Sequence, residues 1–270
     1  MYSYETFIQV SLMMKRDGHK MDDAAIENLN IVRRILQIPI VETIKKTVIV
    51  KKESTISEIL KILNKISEKN YEKLRDELCV LVKSIDKVED LNKITLVIFN
   101  IASSNLFYSK LFSKLYKELI DMNRSFYDIF QIHYDKYFTE LQAFDFTKTT
   151  DYEAFCEYTK KINQLDSTLT FFINLMKTNN CDIENITGLC ILLEDKLIGD
   201  KDYENIEQNE QFLHCIYIIL KECMDYILFH ENLESIVRKV KEIKAHPKLS
   251  PKMKFKCMDL DDIIKVHLVI

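Results

Sequence analysis

Zinc ligation and acid–base catalysis are the chemistries open to a chain without phosphate loops, because His, Cys, Asp and Glu need only helical spacing to converge. The six His are dispersed. One grouping has metal-ligand character: His214 adjoins Cys215, with Cys223 about two turns further along the same apolar stretch. A zinc site asks for a third and a fourth ligand, and two ligands on one helix face ask for i, i+4 spacing. Neither is present, so these three positions read as core and no metal is expected. The acidic clusters "EDLNK" and "DLDD" have the make-up of caps and solvated faces. With Gly18, Gly188 and Gly199 the only glycines, no loop is available to cradle a phosphate. The chain reads as a non-enzyme, without cofactor or small-molecule substrate.

Nucleic-acid phosphates are the next possibility. "TIKKTVIVKKES" holds Lys45, Lys46, Lys51 and Lys52, and "SIVRKVKEIKAHPKLSPKMKFK" holds Arg238, Lys239, Lys241, Lys244, Lys252 and Lys254. Such clusters touch an RNA backbone without choosing sequence. A net charge of −4 over 270 residues excludes a dedicated nucleic-acid binder, so weak mRNA contact through these ten residues is the expectation. The longest apolar run, "CIYIILKECMDYILF", is broken by Lys221, Glu222 and Asp225 and falls short of a membrane span. The opening "MYSYETFIQVSLMMKRDGHK" has no basic region ahead of its apolar part, unlike a secretory signal. Seven Cys without a C-x-x-C pair, set in apolar stretches, read as buried thiols of a reducing compartment. A cytoplasmic protein without membrane contact is expected.

The elements that hold these residues are helices. Three Gly and three Pro in 270 residues starve the chain of turns and bulges, while 47% hydrophobic content can fill a core. Residues 1–53 read as an N-terminal extension, with short helical patterns at 4–15 and from Asp22. Its connecting segment "QIPIVETIKKTVIVKKES" is the one place where extended chain is expected. From 54 to 270 the apolar period is 3.6. Thr55 with Glu58 makes a capping box, and Ser67 or Asn70 caps the next helix, with Tyr71, Leu74, Leu78, Leu81 and Val82 on one stripe. Further blocks follow at about 88–103, 107–122, 125–143, 151–164, 166–178, 182–197, 206–229, 232–245 and 251–268. Short polar corners between helices of this length make neighbours antiparallel. An all-α fold of stacked antiparallel hairpins, an α-solenoid, fits this pattern better than a compact bundle.

Four patches of these helices resemble the middle domain of eukaryotic translation initiation factor 4G. "ILKILNKISEKNYEKLRDELCVL" matches the opening repeat at Leu63, Asn64, Lys65, Ile66, Ser67 and Tyr71, and "KITLVIFNIASSNLFYSKLFSKLYKEL" matches the next at Val97, Ile98, Phe99, Ala102, Asn105 and Phe107. "STLTFFINLMK" matches a third at Leu169, Phe171, Leu175 and Met176, without the family's glycines. "LSPKMKFKCMDLDDIIK" matches the closing helix at Lys252, Met253, Lys254, Phe255, Met258, Leu260 and Asp262.

The resemblance implies a HEAT-type fold of about five hairpins that binds a DEAD-box helicase of the initiation factor 4A type. Its helicase surface is expected at Asn64, Lys65, Asn105 and Phe107 on one contact and Phe171, Phe172 and Met176 on the other, with other initiation factors as further partners. The Tyr-based anchor for a cap-binding protein is missing. A translation initiation scaffold is thus the leading reading. The alternative is an α-solenoid adaptor in mRNA decay, splicing or polyadenylate-linked regulation that never engages this helicase.

Overall fold

The computed structural model of the chain describes Glu27 and residues 55–85, 87–146, 151–178, 182–200, 203 and 205–268. Lys45, Lys46, Lys51, Lys52 and the rest of the extension's predicted elements lie outside the described residues. The helices that follow belong to the compact unit Ser54–Ile270. Among the described residues every regular element is helical and none is a strand, the expected outcome for a chain so poor in Gly and Pro.

Ten α-helices are described: α1 Thr55–Leu63, α2 Tyr71–Lys83, α3 Val88–Ser104, α4 Ser109–Met122, α5 Ser125–Ala143, α6 Tyr152–Lys177, α7 Ile183–Gly199, α8 Ile206–Ile227, α9 Leu233–Lys244 and α10 Pro251–Leu268. Consecutive helices pack in pairs, and the pairs pack on one another. Odd helices touch odd ones (α1 with α3, α3 with α5, α7 with α9), and even helices touch even ones (α4 with α6, α6 with α8, α8 with α10). Polar ties join the layers. The Gln208 amide donates to the Gln142 carbonyl at 2.9 Å, Tyr134 Oη to the Asn185 carbonyl at 2.5 Å, and Lys252 pairs with Glu210 at 2.9 Å.

Two local expectations change. Thr55 is the first residue of α1 and not its cap. The blocks expected at 151–164 and 166–178 are one helix, α6, 26 residues long. Nothing between them breaks a helix, and two of the three hydroxyls there bond inward: Ser167 Oγ donates to the Asn163 carbonyl at 2.6 Å and Thr170 Oγ1 to the Asp166 carbonyl at 2.8 Å.

The second half of α6 is the middle of the core, touching α3, α4, α5, α7 and α8. Adjacent residues on a helix point about 100° apart, so Phe171 and Phe172 serve different neighbours. Phe171 meets Phe99 at 5.8 Å and Tyr116 at 5.5 Å; Phe172 meets Phe130 and Tyr134 at 5.5 Å and Tyr137 at 5.7 Å. All five contacts are edge-on, the favoured aromatic geometry. Phe171 and Phe172 have no exposed surface, and Met176 is buried beside them. The partner contact expected at Phe171, Phe172 and Met176 is therefore corrected: neighbours on several sides leave these side chains no route to another protein.

One charged group is buried without a partner. Glu194 of α7 has no exposed surface, and neither carboxyl oxygen has a hydrogen bond among the described residues. Burial pushes its pKa up to about 9 from an ordinary 4.5, against the pull of Lys239 on α9, whose ammonium is bound instead to Asp195 at 2.5 Å. The neutral acid is the form the core accepts.

Two outcomes follow from this packing. Phe171→Ala should cost about 3–5 kcal/mol of stability in denaturant unfolding, the toll of a large core cavity; a loss under about 1 kcal/mol contradicts the core assignment. For Glu194, the folded chain keeps a proton that the unfolded chain releases between pH 4.5 and about 9, so its contribution to stability falls as pH rises through that window. Glu194→Met should match the wild type near pH 4.5 and exceed it by on the order of 3 kcal/mol at pH 7. A difference independent of pH contradicts the buried neutral carboxyl.

Candidate functional site

The first corner runs from Asn64 to Asn70 and is closed by one side chain. Asn70 Oδ1 accepts the Ser67 N–H at 2.7 Å and the Ser67 hydroxyl at 3.0 Å, while its Nδ2 donates to the Lys65 carbonyl at 2.9 Å. The backbone is fixed, and Asn64 and Lys65 stand exposed on it. Tyr71, the next residue, is buried against α4: its hydroxyl donates to Glu118 at 3.1 Å and the Lys114 ammonium sits 4.3 Å above its ring. Burial, and then the Glu118 carboxylate, hold this hydroxyl well above its ordinary pKa, so it remains a donor.

The second corner joins α3 to α4. Asn105 Oδ1 accepts the Tyr108 N–H at 3.0 Å, an Asx-type turn that projects Leu106 and Phe107 outward. Phe107 is 87% exposed and braced by the edge of the Tyr108 ring at 4.8 Å, and Leu106 is exposed beside it. Large apolar side chains on a corner are costly in water unless something covers them. Tyr71 meets α4 at Lys114 and Glu118, five and nine positions in from Ser109, about 8 and 13 Å along its axis from this corner. Asn64, Lys65, Asn105 and Phe107 therefore lie on neighbouring corners tied to the same helix.

Beside the second corner runs a groove of about 830 Å³ between α3 and α6, lined by Asn100, Ser104, Phe155, Cys156, Thr159 and Asn163 among others. It exists because α6 overhangs: its first buried residue is Leu165. Cys156 on that overhang is exposed, a correction to the expectation of buried thiols; Cys190, Cys215, Cys223 and Cys257 are buried and Cys79 is half-buried. Leu106, Tyr108 and the groove residues were not among the expected contacts. They have no separate signal in sequence, because Tyr152, Phe155, Tyr158 and Ile162 keep helical spacing whether or not a neighbour covers them.

Sequence neighbours His214 and Cys215 diverge. His214 Nε2 turns to Asp166 at 3.5 Å, while the Cys215 thiol is buried 3.8 Å from Tyr137 Oη. Among the described residues no group of three or more His, Cys, Asp or Glu is placed to hold a metal.

The basic stretch near the C-terminal end is largely spent on the protein itself. Lys239 pairs with Asp195, Lys244 with Asp261 and Lys252 with Glu210, while Lys256 lies 3.9 Å above the Tyr217 ring. Arg238, Lys241 and Lys254 are exposed and make no ion pair among the described residues. The expected RNA contacts at Lys239, Lys244 and Lys252 thus have carboxylates already beside them.

The chain matches no protein-family model and no curated protein.

With three unpaired cations on α9 and α10, this face should bind RNA weakly, and its share of the log–log salt slope should be no steeper than about −2 on single strands. Arg238→Glu with Lys241→Glu should remove most of that binding in a fluorescence anisotropy titration. A slope near −5, or affinity that survives the double reversal, contradicts this face as the contact.

Proposed function

We propose that this protein is a HEAT-type α-solenoid scaffold of translation initiation that binds and activates a DEAD-box helicase of the initiation factor 4A type in the cytoplasm. The observation that carries the reading is the exposed corner at Phe107, which falls where the resemblance to the factor 4G middle domain expects a helicase contact. Asn64 and Lys65, exposed on the neighbouring corner, support it. Asn105 acts on the same surface by holding the turn that presents Phe107.

The mechanism is geometric. A rigid stack of hairpins gripping one helicase lobe, and touching the second only in its active arrangement, shifts the helicase toward that arrangement by its differential affinity and by no more. No catalytic group is needed on the scaffold. Weak contact of mRNA with Arg238, Lys241 and Lys254 would keep the message near the helicase without choosing sequence.

The second reading, an adaptor elsewhere in mRNA metabolism, draws support from the burial of Phe171, Phe172 and Met176, which removes one of the two contacts that the resemblance implies. Both readings place a partner on the Phe107 corner. They differ in which partner.

Phe107→Ala separates them. Against a purified helicase of the 4A type, the variant should lose at least about 2 kcal/mol of binding, roughly 30-fold in Kd, because a central aromatic anchor carries that much. Its melting temperature should stay within a degree or two, since the side chain is exposed. Undetectable binding by the wild type, or a Kd changed less than about twofold, contradicts the helicase reading.

A further inference from the structure

The last helix of the stack has two different faces. Met253, Cys257, Leu260 and Ile264 form its buried stripe against α8 and α9. On the opposite side Pro251, Phe255, Met258, Asp262 and Val266 form a second stripe, with Phe255 68% and Val266 72% exposed. A helix face turned to water is ordinarily polar. This one shows three large apolar side chains along its length.

The charges along α10 are segregated. Its first eight residues carry Lys252, Lys254 and Lys256 and no acid; the rest carry Asp259, Asp261 and Asp262 against Lys265, with His267 in the last turn. Lys252, Lys256 and Asp261 turn inward to Glu210, the Tyr217 ring and Lys244. Lys254 and Asp259 make no ion pair among the described residues, and Asp262 has only Lys265 at 3.9 Å. A helix basic in one half and acidic in the other is complementary to itself when turned end for end.

We propose that the outer stripe of α10 docks a second copy of this chain, two α10 helices packing antiparallel about a two-fold axis that passes by Met258. Lys254 and Asp262 stand four positions before and four after Met258, so each Lys254 comes level with Asp262 of the other copy. Val266 comes level with Ser250 of the other copy by the same symmetry, beside its Pro251, and Phe255 packs one turn nearer the axis. The contact is isologous and closes at two copies. A single pair of helices covers well under the roughly 1,600 Å² of a standard interface, so the dimer is weak, with a Kd in the micromolar range.

Sedimentation velocity of the full chain from about 5 to 500 µM in low salt tests this, with circular dichroism confirming that each variant is folded. The wild type should pass from monomer to dimer and stop there. Phe255→Glu should leave a monomer throughout. Lys254→Glu and Asp262→Lys should each weaken the dimer about tenfold, and the two together should restore it, because each copy then offers the reversed pair. Four results overturn the proposal: a wild type that stays monomeric, as it would if another protein covers this stripe; growth past the dimer; dimerisation indifferent to Phe255→Glu; or a double variant no better than either single one.

Discussion

Burial of α6 between residues 165 and 176 is the constraint on which the rest of the structure depends. Five helices touch this one, and two consecutive Phe divide them: Phe171 locks α3 to α4 through Phe99 and Tyr116, and Phe172 locks α5 through Phe130, Tyr134 and Tyr137. Edge-on aromatic packing fixes both the distance and the tilt of the partners, which a core of interchangeable aliphatic residues does less well. His133, stacked 4.3 Å from Phe99, belongs to the same cluster, and burial lowers its pKa, which keeps the ring neutral there. A stack of helices whose middle member is held in this way presents its corners at fixed spacing.

The same burial decides where function can sit. With the middle of α6 closed, the surfaces left near it are the overhanging first half of α6, the turn that projects Phe107, and the neighbouring corner at Asn64. Those corners are stiff because polar side chains spend their bonds locally: Asn70 closes one, Asn105 the other. A turn held by its own side chain loses little entropy on binding, so a single exposed aromatic can act as an anchor without further ordering. Charge follows a similar economy. Lys239, Lys244 and Lys252 are matched by carboxylates from other helices or other turns, which leaves the face near the C-terminal end only weakly attractive to phosphates.

Helix content and most helix limits were legible because they follow from local rules. The apolar period and the lack of Gly and Pro place α3, α5 and α10 within a residue of their ends. The gap assumed between 164 and 166 was not real. Polar residues there suggested a corner, but Ser167 and Thr170 bond to their own helix, and sequence does not distinguish that from a cap. Phe171 and Phe172 were misread for a different reason. A stretch as apolar as "LTFFINLM" looks the same whether a partner or five neighbouring helices surround it, and that number is set by tertiary packing. The pairing within the basic stretch was hidden for the same reason: Lys239 and Lys252 are paired with residues 44 and 42 positions away, beyond any local pattern. Asn105 and Phe107 were named through the resemblance alone, and the structure puts the first in a turn and the second exposed on it.

Hydrogen–deuterium exchange of the chain, alone and with a purified helicase of the 4A type, tests the central claim most directly, because it reads corners and core in one measurement. The account predicts slow exchange over 165–176 in both states. It predicts new protection on binding at 64–70 and 105–108. Fast exchange over 165–176 in the free protein, or protection on binding confined to that segment with the two corners unchanged, would contradict it.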